Sequence, residues 1–164
     1  MTEKTSEYQD RLKKLAELKK LKINPYPAKA NPSESIKQVL ADFEQLQKSG
    51  KKLNLAGRLR GWRAHGNLTF ASLEDPAGKI QLAFSKKEIG PASYKLLTKY
   101  IDVGDFLEAS GTAFTTHAGE PSLIVKSWSL LAKAVRPLPE KWHGLNDEEE
   151  KFRKRYLEDR KSVV

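Results

Sequence analysis

Two hydrophobic periods divide the chain. Before residue 50 the apolar positions recur at intervals of three and four. Leu12, Leu15, Ala16, Leu18 and Leu21 are interleaved with Lys13, Lys14, Lys19, Lys20 and Lys22, a broad apolar stripe flanked by ammonium groups that predicts a helix. That helix must stop at Asn24-Pro25-Tyr26-Pro27, because proline removes an amide and restricts the residue before it. Ile36, Val39, Leu40, Phe43 and Leu46 then fall on one face of a second helix. Ser35 with Gln38 fits a capping box at its start, and Asn31 with Pro32 in the first turn fits nearly as well. Ser49-Gly50 closes it.

From Leu53 the period becomes two. Ala71 and Leu73 alternate with Phe70, Ser72 and Glu74, and Ile80, Leu82 and Phe84 alternate with Lys79, Gln81 and Ala83. Leu123 and Val125 alternate with Ile124 and Lys126. Asp75-Pro76-Ala77-Gly78 and His117-Ala118-Gly119-Glu120 read as turns. Strands are expected near 53–64, 67–75, 79–84, 105–116 and 122–131. A short helix lies between the third and fourth, opened by Gly90-Pro91 and carrying Tyr94, Leu97, Tyr100 and Ile101. Arg136-Pro137-Leu138-Pro139 begins a connector, followed by a helix from Asp147 with an acidic first turn, Asp147 to Glu150, and then Lys151, Arg153, Lys154 and Arg155.

The chain therefore divides into a helical segment 1–50, a β-rich domain 51–136, and a connector with a helix at 137–164. Three strands, a helix and two strands is the order of an OB-fold, a five-stranded barrel with helices whose second and third strands face oligonucleotides. Other small α+β domains share that order. Gly57 and Gly61 in the first strand suit the bend or bulge that closes a small barrel.

Composition narrows the partners. At 164 residues the chain has room for one domain with appendages. Without cysteine it has no disulfide, thiolate metal ligand or thiol nucleophile. No apolar run approaches a membrane span, and Met1-Thr2-Glu3-Lys4 lacks the apolar core of a signal peptide, which together predict a cytoplasmic protein without a membrane partner. The 30 Lys and Arg exceed the 21 Asp and Glu, a formal charge of +9. Residues 51–136 alone carry 13 basic and 7 acidic groups, so most of the excess falls on the β-rich domain. Such a charge suits a polyanion, most often nucleic acid, or a lysine-rich solvated surface.

Within the barrel Phe70 breaks the pattern, because it shares the polar parity of Ser72 and Glu74. A hairpin through 75–78 places Gln81 beside its strand, and Arg63 near the end of the first strand joins them. A π-surface, an amide and a guanidinium on one face can stack and read single-stranded bases. Alternatively, Phe70 covers a barrel edge while Gln81 and Arg63 are solvated. Catalytic alternatives are thinner. His65, His117 and His143 are far apart, each beside glycine or one residue from it, and predict neither a metal pair nor a nucleophile elbow. Gly50-Lys51 and Gly78-Lys79 lie outside any phosphate-loop pattern. No catalytic or metal site is expected.

Arg11-Leu12-Lys13-Lys14-Leu15 through Leu21-Lys22-Ile23-Asn24-Pro25-Tyr26-Pro27 resembles the opening of class II lysyl-tRNA synthetases. Ala56-Gly57-Arg58, Phe70-Ala71-Ser72-Leu73-Glu74-Asp75 and Gly78-Lys79-Ile80-Gln81-Leu82 resemble their anticodon-binding OB domain. The most specific stretch is Arg136-Pro137-Leu138-Pro139-Glu140-Lys141-Trp142-His143-Gly144-Leu145, continuing to Arg153-Lys154-Arg155-Tyr156-Leu157. Aspartyl and asparaginyl enzymes share the barrel but not the Lys-Trp-His-Gly-Leu run. The resemblance implies that Phe70 stacks on the central uridine of a tRNA(Lys) anticodon, that Gln81 and Arg63 hydrogen-bond its base, and that Glu120 contacts a neighbouring uridine. It also implies phosphate contacts from Arg58, Arg60, Lys13 and Lys20. Asn67 departs from the lysine common at its place in the family. The family's catalytic domain, which uses ATP and Mg2+, is larger than this chain, and its motifs lie beyond residue 164. The expectation is a tRNA-binding part that needs no cofactor of its own and does not activate lysine alone. As a fragment it would be a monomer or weak dimer, and at full length a homodimer. A free-standing OB-fold module binding any single strand is the alternative.

Overall fold

A computed structural model describes residues 2–136. The connector and helix expected at 137–164 lie outside the described residues. The first helix, α1 (Thr2–Lys20), is followed by α2 (Ile36–Ala41) and α3 (Phe43–Ser49). The strands are β1 (Lys52–His65), β2 (Leu68–Asp75), β3 (Gly78–Ser85), β4 (Phe106–Thr115) and β5 (Pro121–Ala132), with α4 (Lys86–Ile89) and α5 (Pro91–Tyr100) between β3 and β4. They close into a barrel in the order β1-β2-β3-β5-β4, antiparallel throughout except for the parallel β3–β5 pair. This is the expected five-stranded OB-fold with N-terminal helices and a helix between strands.

The alternation explains the core. Leu53, Leu55 and Leu59 of β1, Leu73 of β2, Leu82 and Phe84 of β3, Leu107 of β4 and Leu123 and Val125 of β5 are all fully buried. They fill the interior that a small barrel leaves for side chains. Closure requires two irregularities. β1 bulges between Leu59 and Gly61, where its pairing with β2 shifts. A Cβ on Gly57 would lie 2.5 Å from the carbonyl oxygen of Glu74, so β2 crosses β1 here only because that side chain is missing.

The second predicted helix is divided. The Ser35–Gln38 capping box forms in full, whereas the chain leaves helical geometry at Asp42 (φ −104°, ψ 19°) before α3 resumes. Aspartate is a poor interior helix residue, because its side chain competes for backbone partners. The two pieces cover the β2–β3 hairpin and the end of β4. Asp75 joins both parts: one carboxylate oxygen accepts from the amides of Ala77 and Gly78 in the turn, and the other accepts from Ile36 at the start of α2 at 2.8 Å.

Candidate nucleic-acid interface

The outer face of β1, β2 and β3 holds Arg63, Phe70 and Gln81, three of the four residues expected to read bases. Arg63 is the cross-strand partner of Phe70, Phe70 is also opposite Ala83, and Ser72 is opposite Gly61 and Gln81. Small neighbours around one aromatic ring leave a hollow. A groove of about 230 Å³ results, lined by Gly61, Trp62, Arg63, Phe70, Ala71, Ser72, Lys79, Gln81 and Glu120. Glu120 arrives from the far side, on the loop between β4 and β5. That loop is pinned by paired bonds between Thr116 and Glu120, from the Thr116 amide to the Glu120 carbonyl and from the Glu120 amide to the Thr116 hydroxyl.

Phe70 is half-buried on the outward parity of β2, as its place beside Ser72 and Glu74 predicts. Gln81 departs from the simple alternation. The alternation puts it on a wet face, yet it is only 9% exposed, because β3 lies between β2 and β5 and the outward position opposite it on β5 is Ser122. Its amide is engaged on both sides. Arg63 Nη2 donates to Gln81 Oε1 at 3.1 Å, and Gln81 Nε2 donates to Ser122 Oγ at 3.0 Å. Ser122 Oγ in turn donates to the Glu120 carbonyl oxygen at 3.1 Å. Lys79 lines the same groove and forms no hydrogen bond or ion pair among the described residues, which leaves its ammonium an available donor.

The residues expected at phosphates are scattered. Arg58 and Arg60 line a separate, larger hollow of about 650 Å³ with Glu74, Pro76 and Phe106. The Arg58 guanidinium stacks 5.0 Å from the Phe106 ring centre and donates to the Gly104 carbonyl, and Arg60 pairs with Glu74 at 3.3 Å. Lys13 and Lys20 are on α1, which is held against α5 by Glu17 bonding Tyr100 and Lys99. Neither lysine lines the base groove, and Lys13 is loosely paired with Asp10 at 3.5 Å on the helix surface. Ser122 and Lys79 join the Gln81 group at the base groove without having been among the expected residues. Lys79 was legible as the outward neighbour of Gln81, two residues along β3.

His65 and His117 are exposed in loops or at strand ends, and His143 lies outside the described residues. Among the described residues no cluster of three or more His, Asp or Glu side chains could hold a metal ion. No described helix is long and apolar enough to cross a membrane.

Comparison with known proteins places these features in context. Residues 53–131 match the tRNA anti-codon family, described as an OB-fold nucleic acid binding domain. Over 148 residues the chain is 43% identical to a lysine–tRNA ligase of Carboxydothermus hydrogenoformans, an overlap of 90% of this chain and 30% of that protein. A lysine–tRNA ligase of Roseiflexus castenholzii is 44% identical over 151 residues, covering 92% and 31%. One from Moorella thermoacetica is 41% identical over 148 residues, covering 90% and 30%. The chain thus spans about 30% of the length of these relatives.

Proposed function

We propose that the Phe70 groove binds the anticodon loop of tRNA(Lys), in a chain whose residues 53–131 match the OB-fold nucleic acid binding domains of the tRNA anti-codon family and which is similar over about 90% of its length to lysine–tRNA ligases. The observation that carries this reading is convergence. Arg63, Phe70, Gln81 and Glu120 come from β1, β2, β3 and the β4–β5 loop, and all four line one groove.

The chemistry follows from the inventory. Phe70 offers a stacking face for any base, so it supplies affinity more than selectivity. The free N–H groups of Arg63, the Lys79 ammonium and the Gln81 amide offer mainly donors. Uracil carries two carbonyl acceptors and one imino donor, and is the pyrimidine such an edge satisfies best. Glu120, across the groove, supplies the acceptor for an imino or amino group of the same or a neighbouring base. Basic groups outside the groove, with Arg58, Arg60, Lys13 and Lys20 as candidates, would position the backbone without reading it. The cytoplasm, where tRNA is charged, is the compartment this reading requires. Lysine ligation with ATP and Mg2+ is proposed for the whole protein that such a domain serves, and no described residue is assigned to it.

Titration of a fluorescent anticodon stem-loop carrying three uridines, against one with cytidine at the central position, tests the proposal. Preference for uridine at fixed salt supports it. Equal affinity for both, and for unrelated single strands, supports instead a sequence-neutral binder whose affinity is set mainly by phosphate contacts and salt.

A further inference from the structure

We infer that Ser122, which does not line the groove, is a positioning residue that sets the polarity of the Gln81 amide and thereby the groove's choice between pyrimidines. The inference rests on the groove being an anticodon-base site. A glutamine amide can be turned over at almost no steric cost, exchanging its oxygen for its NH2 group, so its orientation must come from its partners. Here the partners form a chain with fixed ends. Arg63 can only donate, and the backbone oxygen of Glu120 can only accept. The hydroxyl of Ser122 has one proton and directs it to Glu120 at 3.1 Å. It can therefore only accept from Gln81, which must present Nε2 to it, at 3.0 Å, and Oε1 to Arg63, at 3.1 Å.

The opposite orientation sets the Gln81 NH2 against the guanidinium, donor against donor. Ser122 would then have to choose between Gln81 Oε1 and the Glu120 carbonyl. Because Ser122 is fully buried, water does not relieve the conflict at its hydroxyl. Register makes the arrangement: Gln81 and Ser122 are directly opposite each other on the parallel strands β3 and β5. The same serine ties the loop carrying Glu120 to the strand carrying Gln81, so both groups facing the base share one anchor.

With the amide locked, its second N–H and the remaining guanidinium N–H groups present donors to the groove, beside the Lys79 ammonium. A base with carbonyls on its edge is matched. Cytosine brings a 4-amino donor where uracil has a carbonyl, and two donors face each other. Removing the Ser122 hydroxyl leaves only the Arg63 guanidinium to hold the amide; Arg63 is exposed and can turn to solvent, so the amide can flip to meet cytosine, and discrimination should fall while stacking on Phe70 persists.

The experiment is a cycle of Ser122→Ala, Gln81→Ala and the double variant, each titrated with stem-loops carrying uridine or cytidine at the central position. Ser122→Ala is expected to reduce the uridine-to-cytidine affinity ratio by roughly tenfold, and to change it no further when Gln81 is already alanine. A ratio unchanged by Ser122→Ala, or an equal loss in the Gln81→Ala background, overturns the inference. A wild-type chain without uridine preference overturns both the inference and the reading it rests on; a wild-type preference that survives Ser122→Ala overturns only the role of Ser122. Should the variant fail to fold, side-chain amide NMR of the wild-type chain decides. One Gln81 Nε2 proton exchanging slowly with solvent supports the lock, and two rapidly exchanging protons overturn it.

Discussion

Phe70 is a large apolar ring placed where the barrel has no use for it. The interior is filled by Leu73, Leu82 and Phe84, while Phe70 sits on the other side of β2 between Arg63 and Ala83. Truncating it opens no core cavity. Phe70→Ala is therefore expected to leave the thermal midpoint nearly unchanged and to weaken stem-loop binding by about 1–3 kcal/mol, the worth of one base stacked on an aromatic ring. Phe70→Tyr, which keeps the ring, should retain most of the affinity. Equilibrium titration alongside thermal melts checks both statements. This residue was legible in the sequence because strand parity alone exposes an aromatic on a polar face. Ser122 was not. It follows a proline at the start of β5 and reads as an ordinary edge residue, and its partner Gln81 is 41 positions away on a strand that pairs in parallel. No local pattern encodes that meeting.

At the scale of elements, strands were easier to foresee than the places where they bend. Alternation located all five, and the Gly57 and Gly61 signals in β1 coincide with its crossing and bulge. Gly111 carries no comparable signal, although a side chain there would be more crowded than one at Gly57. The β4–β5 register shifts between Ser110 and Gly111, and a Cβ at Gly111 would stand 1.8 Å from the carbonyl oxygen of Ile124. Backbone cannot yield there as a flexible side chain would. Gly111→Ala is expected to cost at least about 1–3 kcal/mol, the usual range for overpacking, read as a lower urea midpoint. Because β5 also carries Ser122, the same change should weaken uridine preference in whatever folded protein remains. The division at Asp42 escaped notice for the opposite reason. The apolar face of α2 and α3 continues across the break, with Ile36, Val39 and Phe43 all buried, so periodicity sees one helix.

The whole molecule is joined by a group of charges that no sequence period reveals. Lys133, just beyond β5, is buried with its ammonium 2.6 Å from Asp102 and 2.7 Å from Asp105, and Asp105 is fully buried as well. Lys14 of α1 reaches Asp102 at 2.5 Å, and the Asp105 carboxylate also accepts from the amides of Asp102 and Ala134. One helix, the loop before β4 and the segment after β5 therefore meet at a single cluster. Burial pushes the Asp102 carboxyl upward, but hydrogen bonds from Lys133 and Lys14, with their positive charges, outweigh it and hold Asp102 below its ordinary value of 3.8. The folded state thus keeps this carboxylate ionised at acidities where the unfolded chain has already bound a proton. Its contribution is present above about pH 4 and is lost as pH falls through the depressed folded value. Denaturant melts from pH 7 down to 2.5 should show stability falling below pH 4, with a shallower fall in Asp102→Asn. Lys133→Met is the sharper variant, since it removes the partner that the fully buried Asp105 side chain holds at 2.7 Å. The expected loss is about 3–5 kcal/mol at neutral pH. A Lys133→Met protein as stable as the wild type would mean that the cluster contributes nothing to holding α1 and the barrel together.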